Sequence, residues 1–476
     1  MDFRTAISLV VGYLVTLLLI RWVILSRRRQ PAATIAWILA IVMLPYVGGV
    51  LYLVFGINRV DRRARKIEAA SRDIHEHLPE LDRYRLETEK KLNDQQIRLM
   101  KLASEGCHTI PTDGNQIRLL IDTNVTFRRI EEAVMAAEES LHLEYYIWRA
   151  DKSGTRLRDL LIEKANSGVK VRFLYDGIGS LFLSRGFLRP MLDAGITVAP
   201  FHSGHSLRAK WSINLRSHRK IVIVDGKVGF TGGMNIGDEY LGRNKALGYW
   251  RDTHLQLQGP TVLQLQQVFA EDWYYATGEE LTSPEKFPQP AIEGDVIAQV
   301  VSGGPIGNIR TFHALMFTAI NEARHRVTLA TSYFVPTEPL VMALETAARR
   351  GVEVRLLLAG RSAHRAVVLA GRSYYESLLS SGVTIHEYKR GILHSKTLTI
   401  DGNWSLIGSP NFDARSLLLN FEVGVAIYDQ ELARQLEEHY EKDLQHARMI
   451  REDIWRRRPA RHVLAENVCR LFAPIM

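Results

Sequence analysis

SHRKIVIVDGKVGFTGGMN, residues 217–235, is the stretch from which the fold is read. Its skeleton is His218-x-Lys220, then Asp225, then Gly232, Gly233 and Asn235. The skeleton returns as His394-x-Lys396, Asp401, Gly408, Ser409 and Asn411, and in both copies the Asn lies ten residues after the Asp. Residues 220–231 read as two short strands joined by Asp225-Gly226, a strong hairpin-turn signal, and residues 397–407 repeat the pattern around Asp401-Gly402. Residues i and i+2 of a strand face the same way, so His218 and Lys220 project together, as do His394 and Lys396.

Working outward, the doubling continues. A helical run at 127–140 leads into the apolar run 141–148, and 313–324 leads into 327–335. Gly168-Val-Lys-Val-Arg is matched by Gly351-Val-Glu-Val-Arg, and Ala194-Gly-Ile-Thr-Val by Ser381-Gly-Val-Thr-Ile. This order of helices and strands gives an α/β fold: two tandem units, 112–295 and 296–454, with helices flanking β-sheets and a shared active site between them. The insertion at 200–214 has no equal in the second unit, and a loop there could shape access to a site.

The doubled motif suits phosphate chemistry. Imidazole serves as nucleophile or as acid and base near neutral pH. Lysine supplies a fixed positive charge and asparagine a donor, which together stabilise an oxyanion. Gly233 and Ser409 would let backbone and hydroxyl approach phosphate oxygens, so Asn235, Asn411, Ser409 and Gly233 are the candidate substrate-binding residues. Two such sets face to face would put His218 and His394 on opposite sides of one phosphorus. Asp225 and Asp401 complete each catalytic set, although both also fit their turns structurally.

The remaining sequence frames this core. With 46% hydrophobic residues among 476, the chain can bury a core without metals or disulfides. Cys107 and Cys469 stand far apart, and no metal-ligand spacing occurs, so no metal site is expected. The net charge of +9 points to an anionic partner such as a membrane surface or a nucleic acid. Residues 6–25 carry one charge, Arg21, and residues 32–55 carry none. Each run meets the ~20 residues a bilayer requires, so 1–58 is expected to form a transmembrane hairpin. Basic residues between Arg59 and Lys66 favour a cytoplasmic catalytic part through the positive-inside bias. Residues 59–111 read as a charged juxtamembrane helical linker, and 455–476 as a basic amphipathic tail.

The motifs Asn214-x-Arg216-x-His218-Arg-Lys220, Gly232-Gly-x-Asn235-x3-Glu239-Tyr240 and Ser409-Pro-Asn-x-Asp413-x-Arg415-Ser416 carry a family resemblance over nearly the whole chain. It is similar to the phospholipase D superfamily, and within it to the bacterial cardiolipin synthases. The resemblance implies a covalent phosphohistidine mechanism without metal or cofactor. It implies His218 as nucleophile and His394 as general acid, then base; the residues by themselves leave the two roles open. It also implies a downstream carboxylate orienting each histidine, for which Asp252 and Glu422 are the candidates, each with an ordinary reading as a core-edge carboxylate. His142, His202 and His205 have no motif and read as structural or as outer neighbours of the site; Glu144, Tyr145 and Tyr146 end a strand and could reach the site, with burial the simpler account. The implied reaction is phosphatidyl transfer between two phosphatidylglycerols, giving cardiolipin and glycerol at the bacterial inner membrane. The implied partners are those lipids and the anionic membrane, not nucleic acid, and a homo-oligomer is compatible with this. The alternative is a membrane phospholipase D releasing phosphatidic acid.

Overall fold

The computed structural model describes residues 3–25, 31–53, 73–74, 76–79, 81–86, 91–107, 109–201, 215–244, 247–305 and 310–472. The loop 26–30, the basic cluster from Arg59 to Lys66 and the insertion carrying His202 and His205 lie outside them. The chain divides into two compact units, Met1–Arg63 and Ala64–Met476.

In the first unit a helix spans Phe3–Leu25 and two more span Pro31–Met43 and Pro45–Leu51. Val23, Ile41 and Tyr52 are fully buried among them, with Trp22 and Trp37 edge-on to Tyr52. Leu14, Leu18, Ile24, Leu39 and Val42 instead face outward. The expected span over 32–55 is not one helix. Pro45 lacks an amide hydrogen and its ring obstructs the preceding turn, so the helix stops and restarts there. Among the described residues no helix is long and apolar enough to cross a membrane.

The second unit is built on a sheet of sixteen strands among the described residues. From one edge inward it runs Thr197–Pro200, Lys170–Tyr175, Ser140–Tyr145, Lys220–Val224, Val228–Gly232, Tyr249–Gln258 and Thr112–Asp122. It continues through Val296–Gly303, Glu422–Ile427, Trp404–Gly408, Lys396–Ile400, Arg326–Thr331, Glu353–Ala359 and Thr384–Tyr388 to Ala447–Met449, and the sixteenth strand, Gly391–Leu393, pairs with Tyr249–Gln258 off this path. The second half repeats the first in reverse order, as a two-fold relation between duplicated units requires. The halves join where Thr112–Asp122 pairs antiparallel with Val296–Gly303. The expected flanking sheets are therefore one continuous sheet.

The central strands are buried on both faces, which accounts for their unbroken Val and Ile content: all five residues of Lys220–Val224 are buried. Helices Thr123–Ala136 and Thr311–Glu322 follow the paired strands and fill one apolar cluster in each half, around Phe127 and Phe312.

One segment differs from its sequence reading, and the tail takes one of the two placements that reading left open. Within the expected linker, Asp94–Cys107 is a helix whose Leu99, Met100 and Ala103 enter the second half's core beside Leu315. Its apolar spacing covers a core instead of bridging to a membrane. In the tail, helix Ala460–Phe472 is held by Arg458, which pairs with Glu466 at 3.1 Å and Glu376 at 3.0 Å.

Candidate active site

Each His-x-Lys sequence enters its strand from a short segment laid against the other half of the sheet. Gly391–Leu393 pairs parallel with the start of Tyr249–Gln258, so the His394 amide donates to the Arg251 carbonyl at 2.7 Å. Ser217 bridges Phe421 in the same parallel sense, and the His218 amide donates to the Phe421 carbonyl at 2.8 Å. Each histidine is thus placed by the strand carrying the other half's carboxylate.

The side chains complete the exchange. His218 Nδ1 lies 2.9 Å from Glu422 Oε2, and His394 Nδ1 lies 2.7 Å from Asp252 Oδ2. Both carboxylates are buried, whereas each imidazole keeps 11% of its side chain exposed. With Nδ1–H given to a carboxylate, Nε2 of each ring is left as a lone pair. Ser409 donates to Glu422 Oε2 at 2.5 Å and Asn420 to its other oxygen at 3.3 Å. Asp252 is pinned by the Thr253 amide at 2.7 Å. Beneath them Arg251 pairs with Asp443 at 2.7 Å, and the Arg219 guanidinium pairs with Asp272.

Burial pushes the His218 imidazole down to about 4, with Lys220 and Lys396 adding to it against Glu422. Burial and Lys396 likewise push His394 down to about 4, against Asp252. Burial alone would raise the two carboxylates, but the facing histidine and lysine outweigh it and hold both below the usual range. Neutral imidazole beside ionised carboxylate is the state that both directions describe at neutral pH. Burial also lowers Lys220 to about 7 and Lys396 to about 8. Lys220 feels Lys396, Asp252 and Glu422, and His394 feels Lys220, so the two motifs share one electrostatic enclosure.

The remaining candidates fall into two groups. Asn411 Oδ1 accepts from Ser332 Oγ at 2.5 Å, and Lys396 Nζ reaches the same hydroxyl at 3.2 Å. Asn235 bonds the Tyr240 hydroxyl at 3.2 Å, and the Tyr240 ring stands 6.0 Å from His394. Ser409 acts on Glu422 as described. Gly233 lies close against the orienting carboxylate: a Cβ there would lie 2.1 Å from Asp252 Oδ1.

Asp225 and Asp401 are corrected. Asp225 turns away to accept the backbone amides of Glu138, Glu139 and Ser140 at 2.7–2.9 Å. Asp401 accepts those of Arg324, His325 and Arg326 at 2.7–2.9 Å. Both sit at φ 51, inside the hairpin turn. They tie the hairpin to the helix–strand corner, and none of their hydrogen bonds goes to His218, Lys220, His394 or Lys396. Asp225→Ala is accordingly expected to lower unfolding free energy by about 3 kcal/mol, the scale of a few charge-assisted bonds left unmade. The folded fraction should keep its kcat within roughly tenfold. A chemical-denaturation curve beside initial rates checks both; a kcat loss as large as that of a histidine variant would return Asp225 to the chemistry.

Of the neighbours, Tyr146 is within reach of the site on the sequence reading, although burial is preferred there, and Trp250 escapes it. The Tyr146 ring is 4.9 Å from His218 and Lys220 Nζ lies 5.5 Å above it. Trp250 stands 5.5 Å from His394. Glu144 stays below the site, accepting from Ser217 at 2.5 Å, and Tyr145 is buried. His142 is structural, stacked on Phe269 and bonded to Gln266 at 2.9 Å.

Known proteins resemble the chain over most of its length. The family model described as cardiolipin synthase, PLD-like domain, matches residues 130–273 and 316–444. One described as phospholipase D-nuclease N-terminal matches 14–56. Cardiolipin synthase 2 of Bacillus cereus is 39% identical over 98% of this chain and 91% of its own length. A cardiolipin synthase of Geobacillus kaustophilus is 40% identical over 97% of this chain and 92% of its own. The crystal structure of a phosphatidylserine synthase from Haemophilus influenzae shares the fold, with TM-score 0.58 over 76% of this chain and 93% of that one at 14% identity.

Proposed function

The chain belongs to the cardiolipin synthase family with phospholipase D-like domains, and on that premise we propose that it transfers a phosphatidyl group from one phosphatidylglycerol to another. The observation that carries the reading is the crossed pairing: His218 on Glu422 and His394 on Asp252. One phosphodiester between them meets a free Nε2 from each side, with two lysines to hold its charge.

His218 Nε2 attacks phosphorus and the bond to the glycerol headgroup oxygen breaks, with His394 giving that oxygen its proton. Glycerol leaves. The terminal hydroxyl of a second phosphatidylglycerol then loses its proton to His394 and attacks phosphorus, and the bond to nitrogen breaks. His394 is neutral in the empty site; the arriving phosphodiester anion offsets the Lys396 charge and lets it take up the proton it must donate. Glu422 stabilises the positive charge that His218 acquires. Tyr146, Tyr240 and Trp250 supply apolar walls that disfavour water as the acceptor. Asn235 and Asn411 are read as phosphate donors. Membrane association is supported by the outward apolar side chains of the first unit and by the N-terminal family match.

The test is to incubate the protein with headgroup-labelled and acyl-labelled phosphatidylglycerol and resolve the products. Cardiolipin and glycerol in equal amounts are expected; phosphatidic acid as the sole lipid product would identify a hydrolase instead. The lysines add a pH signature. Each is charged below its lowered value and neutral above it, so phosphate binding weakens as pH rises through about 7 to 8. We expect kcat/KM to fall there by up to roughly tenfold per pH unit, since this ratio reports the free enzyme. A profile flat from pH 6 to 9 would remove these lysines from phosphate binding.

A further inference from the structure

The loop 176–184 leaves the carboxyl end of strand Lys170–Tyr175 and enters helix Arg185–Asp193. Its inner side is fixed. Asp176 accepts the amides of Ile178, Gly179 and Ser217 at 3.0, 2.8 and 2.9 Å, which ties the loop to the residue before His218. Ser180 Oγ donates to the Tyr146 carbonyl at 2.9 Å and accepts the Trp148 amide at 3.0 Å. Tyr146 is the ring lying against His218. The outer side is the reverse of what a polar loop presents. Leu181 is 69% exposed and Phe182 73% exposed, between buried Ser180 and Leu183.

Single exposed apolar residues are ordinary, but an adjacent Leu-Phe pair on a loop bonded this firmly is not explained by chance exposure. The surrounding charge selects its partner. Arg149 lies 5.7 Å over the Phe182 ring, and Arg185 and Arg189 are exposed at the start of the following helix. The acids near them, Glu239 and Asp193, each already face one of these arginines, at 3.4 and 3.7 Å. An apolar tip ringed by guanidinium groups matches an anionic lipid surface, where the tip enters the acyl boundary and the arginines stay among phosphates.

We propose that Leu181 and Phe182 insert into an anionic bilayer and hold the mouth beside Tyr146 and His218 at the lipid headgroups. The inference rests on the lipid-substrate reading for its purpose, and not for its test. The full chain carrying Cys107→Ser, Cys469→Ser and Phe182→Cys is labelled with a nitroxide and reconstituted in vesicles of phosphatidylglycerol and phosphatidylethanolamine. Lys442→Cys in the same background is the control. At 182, collisions with oxygen should exceed those with a water-soluble nickel chelate, and the reverse should hold at 442. A label at 182 as water-exposed as at 442, or shielded from both reagents as under a protein partner, overturns the proposal.

A second measurement needs no label. Leu181→Ser combined with Phe182→Ser should lower turnover of vesicle phosphatidylglycerol by roughly tenfold or more. Turnover of a monomeric short-chain phosphatidylglycerol should stay within twofold. Equal loss on both substrates, or no loss on either, also overturns it. If the unsubstituted protein converts neither lipid, the functional reading has failed while the spin-label result still stands.

Discussion

His218→Ala and His394→Ala are each expected to reduce cardiolipin formation by at least about 10⁴-fold, because each removes a group that bonds to, or exchanges a proton with, the reacting atoms. The two losses should differ in kind. Without His218 no phosphorus–nitrogen bond can form, so labelled phosphatidyl groups never appear on the protein. Without His394 the first attack is slowed by loss of the acid. The second step suffers as well, since no base takes the proton from the incoming hydroxyl. Slow accumulation of an acid-labile phosphatidyl adduct is therefore expected in His394→Ala. Quenching with denaturant and counting protein-bound label measures this directly. The double variant should be no worse than His218→Ala, since residues acting as one unit lose their effect together. An adduct in His218→Ala and none in His394→Ala would exchange the two roles. Near-normal turnover in either would refute the two-histidine scheme.

Much of this site is legible in the residues because the chain states it twice. His218, Lys220 and Asn235 recur at fixed offsets as His394, Lys396 and Asn411, and hairpin geometry alone projects each histidine with its lysine. The duplicated helix–strand order likewise announces an α/β body. What could not be read was the partner across the interface. Asp252 lies 142 residues from His394 and Glu422 lies 204 from His218, and no local pattern encodes such a crossing. Family likeness suggested the two carboxylates but not which histidine each would serve. Asp225 and Asp401 misled for the opposite reason. Their repetition is as regular as that of the histidines, yet what repeats is a backbone-capping corner that both halves need in order to fold. The closeness of Gly233 to Asp252 could not be read either, since a missing side chain gives no hint of what fills the space. Asp94–Cys107 shows the limit of reading charge: its exposed face is polar enough for a linker, while Leu99 and Ala103 are wholly buried.

Glu422→Gln and Asp252→Asn are expected to cost about 10³- to 10⁴-fold in turnover with little change in fold, the scale found when a histidine's orienting carboxylate becomes an amide. The carboxylate accepts Nδ1–H and so keeps Nε2 as the lone pair aimed at phosphorus. An amide can present its own N–H instead and turn the ring to the other tautomer, and it withdraws the charge that offsets a cationic histidine. The crossing then makes a distinct prediction. Glu422 belongs to the second half but serves His218 in the first, so Glu422→Gln should behave like His218→Ala and leave the protein free of adduct. Asp252 belongs to the first half but serves His394, so Asp252→Asn should accumulate adduct as His394→Ala does. Pairing within each half would give the opposite assignment. Gly233→Ala supplies an independent check, since its Cβ would come within 2.1 Å of Asp252 Oδ1 and force that carboxylate off His394. Its adduct should therefore build up as in Asp252→Asn. An adduct-free Gly233→Ala with a normal melting curve would instead place the glycine on the side of phosphate access, and Asp252 outside the orientation of His394.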